Sequence, residues 1–182
     1  MSSHVNRSTA ALAISPRRRR LPWAAIRAGL VFVAIFGAWL WMLTIGNLQE
    51  HIWLPFVNIV AQSAGLIFRV FGARVAVSGL SLSVNGVSLT IAFGCDGLEA
   101  HGIFIAAIFA AALSWKRRLL GLLVGTIGIF LINQIRVCGI FLAARFGSQW
   151  FYYAHTVVGQ TFVIVATMGL FLWWVTRDES PK

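Results

Sequence analysis

With 182 residues, of which 59% are hydrophobic and 11% charged, and a mean hydropathy of +0.82, the chain is too apolar for an ordinary soluble domain and belongs in a bilayer. At about 20 apolar residues per crossing, the length fits a handful of helices with short connections. Lys+Arg 15 against Asp+Glu 5, a formal +10, would point to nucleic acid in a soluble protein, but most of the positive residues stand in short blocks beside apolar runs, at 17–20, 116–118 and at Arg177 with Lys182. That pattern marks cytoplasmic flanks of transmembrane helices and sets nucleic acid aside as a partner.

Residues 1–22 read as a basic cytoplasmic tail, 23–177 as one membrane-embedded domain and 178–182 as a second cytoplasmic tail. The apolar run 23–45 is longer than the roughly 7–15 residues of a signal-peptide core and no A-x-A site follows it, so it is expected to be an uncleaved anchor. The segment 52–71 is apolar enough to span, yet it is interrupted by Pro55, Asn58, Gln62, Ser63 and Arg69. Three basic flanks on one side of the membrane require an even number of crossings, so 52–71 is expected as a re-entrant or interfacial helix on the outer face, with a tilted fifth span as the alternative. Residues 75–91 alternate apolar and polar on both sides of Asn85-Gly86, the signal of a β-hairpin with a type I′ turn. A ribbon with open edges cannot sit in hydrocarbon and is placed outside. Runs at 94–115, 119–144 and 153–176 complete an all-α integral membrane fold. It has about four transmembrane helices, a helix at 52–71 and a small extracytoplasmic hairpin.

This topology puts three polar groups near the outer ends of three helices: Cys95, Arg136 and His155. An arginine inside a span costs on the order of 2.5–3.5 kcal/mol, which makes it a functional-site candidate. Asn133, three residues before Arg136, shares its face and is expected to hold the guanidinium or line the same pocket. Cys95 lies in Phe-Gly-Cys-Asp-Gly-Leu-Glu, where orphan N–H groups at a helix start and a nearby arginine favour a thiolate. Glu99, one turn on, is placed to orient a base or capture a cation, and Asp96 to cap the helix or take part in the chemistry. The bland alternative for Arg136 is an ion pair with Glu99 or Asp96. For His155 the alternatives are an interfacial ring in an aromatic belt and a general acid–base. Cys138 reads as packing, His101 as a satisfied buried histidine and His51 as interfacial. Two cysteines make no disulfide framework, and no Cys/His spacing calls for zinc or another cofactor.

The motifs Gly94-Cys95-Asp96-Gly97-Leu98-Glu99-Ala100, Asn133-Gln134-Ile135-Arg136-Val137 and Ala154-His155-Thr156-Val157-Val158-Gly159-Gln160 resemble those of the exosortase/archaeosortase membrane cysteine transpeptidases, in particular the short, exosortase H-like members. The resemblance spans 75–177. It implies that Cys95, Arg136 and His155 are the catalytic residues of an enzyme in the bacterial inner membrane. It also implies the substrate: exported proteins with a C-terminal sorting signal made of a short motif, a transmembrane helix and a basic tail. The acyl group would pass through a Cys95 thioester to an amine or to water, with the hairpin and 52–71 as a lid that recognises the motif. Many members have about eight spans and carry Ser or Ala where this chain has Asp96. Two rival readings remain: a non-catalytic transporter or partner subunit with a polar pathway of Arg136, Glu99 and His101, and a haem or metal protein using His101 and His155.

Overall fold

The longest apolar runs fold as helices. The structure, a computed structural model, describes residues 23–46, 49–92 and 94–177, and the two basic tails expected at 1–22 and 178–182 lie outside the described residues. In chain order come α1 (Trp23–Thr44), a π-helical turn (Gln49–Trp53) running into α2 (Leu54–Val70), β1 (Val75–Ser78), β2 (Ser81–Val84) and β3 (Val87–Thr90). Then follow α3 (Leu98–Ala110), α4 (Trp115–Ala144), α5 (Ser148–Tyr153), a second π-helical turn (Ala154–Val158) and α6 (Gly159–Thr176).

Among the described residues, four helical stretches are long and apolar enough to cross a membrane: Trp23–Thr44, Glu50–Val70, Trp115–Ala144 and Ser148–Thr176. Their number matches the sequence expectation, but their membership differs. The run 94–115 yields only the 13 residues of α3, about 20 Å at 1.5 Å per residue and short of the roughly 30 Å of hydrocarbon. Ala111, at φ −72° and ψ 147°, turns the chain extended. The short helix is enclosed by α1, α4 and α6, and Leu98, Ala100, His101, Gly102, Phe104, Ala106 and Ile108 are buried.

The segment 52–71 forms an unbroken helix despite its polar residues. Pro55 sits at the start of α2, just where the π-helical turn Gln49–Trp53 runs into it. Gln62 donates to Asn58 Oδ1 at 3.1 Å and Ser63 to Ile59 O at 2.6 Å, so these side chains are satisfied along the helix itself. Val57, Val60, Ala61, Ala64 and Gly65 form the buried face. That face meets the sheet and the far half of α4: Phe68 packs edge-on to Phe141 at 5.6 Å, and Gly65 admits Val75, Val77 and Leu82 so closely that a Cβ there would stand 2.9 Å from Val77.

The expected hairpin is present as β2 and β3, with Asn85 (φ 49°) and Gly86 (φ 89°) in the left-handed turn. The sequence reading missed a third strand. A second two-residue turn at Gly79 (φ 57°) and Leu80 pairs Ser78 with Ser81, giving an antiparallel sheet in the order β1-β2-β3. The alternation simply runs through both turns.

The helix ends sort by charge. Arg117 Nη2 donates to Trp174 O and Val175 O, both at 2.9 Å, which brings the start of α4 to the end of α6. Trp39 Nε1 donates to Leu98 O at 3.1 Å, which sets the last turns of α1 beside the start of α3. The Trp23 end of α1, the basic residues 116–118 and Arg177 therefore share one end, and the loop carrying Cys95 lies at the other. Between them, Leu30 (66% exposed), Leu123 (59%) and Val165 (63%) leave the outward faces apolar, as lipid contact requires. Inside, Gly102 receives Trp39 and Gly125 receives Phe104, and a Cβ at either glycine would overlap the ring.

Candidate active site

Cys95 lies in the loop 94–97 that joins the sheet to α3, between two glycines in the left-handed region, Gly94 (φ 84°) and Gly97 (φ 87°). Side chains rarely adopt that conformation. At Gly97 a Cβ would also stand 3.0 Å from Asn133 Cγ, so close approach of α4 is a second reason for glycine. Asn133, only 1% exposed, donates Nδ2 to Asp96 O at 2.8 Å and to Cys95 O at 3.3 Å. It braces the loop backbone and does not hold the guanidinium, which corrects the first of its two expected roles. Asp96, also buried, accepts Leu98 N–H at Oδ1 (2.9 Å) and Trp53 Nε1–H at Oδ2 (2.6 Å). It caps the start of α3 and ties the loop to the turn ahead of α2.

Cys95 Sγ is 3.4 Å from His155 Nδ1. The ring of His155 stacks on Phe151, centroids 5.5 Å apart and planes within 8°, and so is held in orientation. Arg136, 5% exposed in the far half of α4, donates Nη1–H to Gly94 O and Nη2–H to Gln160 Oε1, each at 3.0 Å. Its Nε is buried without a partner. Gly159 leaves room for it, since a Cβ there would stand 3.1 Å from Nε. Among the described residues no ion pair joins Arg136 to Glu99 or Asp96, and the bland alternative for this arginine does not hold.

Burial pushes the Cys95 thiol above its ordinary value; the Arg136 charge pulls it down and the Asp96 carboxylate pushes it up, and burial wins. The expectation of a resting thiolate is corrected on that ground: the helix start and Arg136 were weighed, the desolvation was not. A protonated thiol can donate to Nδ1 in the tautomer that carries its proton on Nε2.

Residues 21–172, most of the chain, match the transmembrane exosortase family. The chain belongs to that family. No curated protein and no solved structure matches it. In this exosortase-family chain the motif residues quoted from the sequence meet at one end of the bundle, drawn from a loop, α4 and the α5–α6 rod. Two cavities adjoin them. Leu89, Thr90, Ile91, Cys95, Phe151 and His155 border a small one of about 40 Å³, closed on the α4 side by Val137, Ile140 and Phe141. On the other side a groove of about 400 Å³ starts at Gly94, Glu99, Arg136 and Gln160 and runs down between α1, α3 and α6 to Phe171 and Leu172.

The remaining candidates fall elsewhere. Glu99 lines the groove and makes no hydrogen bond among the described residues. His101 is 5% exposed, with Nδ1 2.9 Å from Gly97 O and Nε2 3.3 Å from Thr126 O; it borders neither cavity, so it lines no pathway with Glu99 and Arg136 and meets no His155. Cys138 is a free, half-buried thiol by the α2–α4 seam, and His51 lies exposed in the first π-helical turn. Two partners escaped the sequence reading. Gln160 was quoted within a motif without a role, and the order Gly159-Gln160 at the head of an apolar helix was its only signal. Trp53 had none, because a hydrogen bond across 43 positions leaves no local pattern.

Proposed function

We propose that the chain is a membrane cysteine transpeptidase or peptidase that cuts the C-terminal sorting signal of exported proteins. It would work on the extracytoplasmic side of the bacterial inner membrane, with both termini cytoplasmic. The observation that carries this reading is the 3.4 Å approach of Cys95 Sγ to His155 Nδ1, beside an arginine anchored on the neighbouring Gly94 O, in a family of transmembrane exosortases. The orientation follows from the shared end of the basic flanks, which the positive-inside rule assigns to the cytoplasm.

Because the buried thiol holds its proton, His155 Nδ1 takes that proton as Sγ attacks the scissile carbonyl. Arg136 supplies positive charge next to the sulfur and the oxyanion as negative charge develops. The C–S bond forms, the C–N bond breaks, and His155 returns the proton to the leaving amine. The thioester is then opened by an acceptor amine or by water, whose proton goes to His155 while the Cys95 thiolate leaves. The groove down from Gly94 and Arg136, flanked by α1 and α6, offers the apolar span of the substrate a place beside the reacting carbonyl.

The test is co-expression with an exported protein ending in motif, apolar span and basic tail, followed by its size on a gel. Wild type is expected to shorten it, and Cys95→Ala, Arg136→Ala and His155→Ala are not. Cys95→Ala that still cuts would remove the proposed nucleophile.

A further inference from the structure

The sheet leaves one edge unpaired at the mouth of the Cys95 cavity. Ile91 N–H donates to Leu80 O at 2.9 Å, which fixes the parity of the β2–β3 ladder: Ile91, Leu89 and Val87 point their backbone groups at β2. Ser88 and Thr90 therefore point N–H and C=O outward, away from β2. Among the described residues no strand pairs with that side of β3, and both residues are exposed. The other edge behaves differently. Asn85 N–H donates to Arg74 O at 2.9 Å, so on β1 it is Val75 and Val77 that face outward, far from the thiol, by a shallow cavity of α2 side chains such as Asn58 and Gln62.

Thr90 is five residues before Cys95, and β3 runs towards it. Leu89, Thr90 and Ile91, three consecutive residues whose side chains alternate between faces, border the same cavity as Cys95 and His155. Thr90, whose backbone faces the unpaired edge, therefore borders the cavity that holds Cys95 and His155, and Ser81 Oγ, 3.0 Å from Thr90 Oγ1, ties the Thr90 side chain back to β2 and clears that edge.

We infer that β3 is the docking edge for the substrate: the extended segment around the scissile bond adds as a fourth strand, bonded to the backbone of Ser88 and Thr90. The identity of this occupant rests on the function proposed above. Strand addition supplies affinity through main-chain bonds whatever the side chains, while alternate side chains are read by what they meet. It also carries the peptide along β3 into the space beside Sγ, where a carbonyl just past the last paired residue is presented to the thiol. Pairing would complete the open edge only when a substrate is present.

The experiment uses the full chain with Cys95→Ala, Cys138→Ala and Ser88→Cys. It is co-expressed with an exported test protein ending in an extended segment, an apolar span and a basic tail, in which each residue of the extended segment is changed singly to cysteine. Paired residues lie within disulfide range, so oxidation is expected to trap the two chains at alternate positions, i and i+2, and several-fold less at the positions between. Ala76→Cys on the opposite edge, in the same background, is expected to trap none. Trapping without a two-residue period, or trapping from Ala76 in place of Ser88, overturns the inference. Cleavage of the same test protein by wild type is measured in parallel. Cleavage without periodic trapping overturns the strand pairing and leaves the cysteine reading standing; periodic trapping without cleavage supports the pairing and counts against that reading.

Discussion

At the basic end of the bundle Arg117 donates to the last carbonyls of α6, Trp174 O and Val175 O; at the other end Arg136 donates to Gly94 O and to Gln160. Both arginines join α4 to its neighbours by the same kind of bond. Arg117 meets a helix C-terminus, where orphan carbonyls and the dipole welcome a cation, and it is half-buried near a face that the positive-inside rule leaves wet. Arg136 is 5% exposed and grips the loop of a thiol that faces a histidine. On the proposed function the staple at the helix end serves the fold and the same bond beside the thiol serves the chemistry, and single substitutions separate the two.

The largest expected effect is at Cys95. Cys95→Ala and Cys95→Ser bring processing of the tail-signal protein to background, read as unshortened substrate on a gel, because no other thiol lies beside His155. His155→Ala follows, with a loss of about 10²–10⁴-fold, the range for removing a general acid–base; a smaller loss would mean that Cys95 gives up its proton elsewhere. Arg136→Ala is expected to cost about 10²–10³-fold, as for one oxyanion-stabilising group, and Arg136→Lys to recover only part, since a single ammonium cannot reach Gly94 O and Gln160 Oε1 together. Arg117→Ala is the counterpart. Processing per folded molecule stays within about twofold, while thermal unfolding in detergent shows a loss of about 1.5–3 kcal/mol, the range for a hydrogen bond to a charged group. Equal effects of the two arginine changes on processing would erase the contrast.

The same two ends show what was legible in the sequence. At the basic end the grouping of 116–118 with Arg177 was, because charge beside an apolar run is a local signal. At the site end the sequence supplied the identities, Cys95, Arg136 and His155, from three short motifs, and their convergence from helix depth. It did not supply the wiring. Asn133 was assigned to Arg136 because the two share a helix face, yet Gly97 lets α4 approach so closely that the amide meets the loop carbonyls first. Residues 94–115 were taken as a span from apolarity alone, which cannot tell a lipid-facing helix from a short one enclosed by three others. The helix at 52–71 was judged by its polar residues, yet Gln62 bonds Asn58 and Ser63 bonds Ile59 O one turn back along the helix, beside the outer edge of β1.

The smallest expected effect concerns Asp96, where the comparison sharpens to one carboxylate. Its two oxygens hold Leu98 N–H and Trp53 Nε1–H, a purely architectural role like that of Arg117, but its charge also pushes the adjacent thiol up. Asp96→Asn keeps the size and one acceptor oxygen while removing the charge. Alkylation of Cys95 by iodoacetamide reads the thiolate fraction directly, with Cys138→Ala as background. In the wild-type chain its rate is expected to rise only above the ordinary cysteine range, since burial holds the proton on. Removing a negative neighbour makes the thiolate easier to form, so the profile of Asp96→Asn moves to lower pH, while burial, the larger cause, still holds it above the ordinary range. Trp53→Phe deletes the hydrogen bond but not the charge, and leaves Asp96 with one oxygen unpaired; it is expected to lower stability and to shift the profile, if at all, in the opposite direction, because a carboxylate stripped of a donor presents more of its charge to the sulfur. An Asp96→Asn profile that coincides with wild type would place Asp96 with Arg117, as a residue of the fold alone.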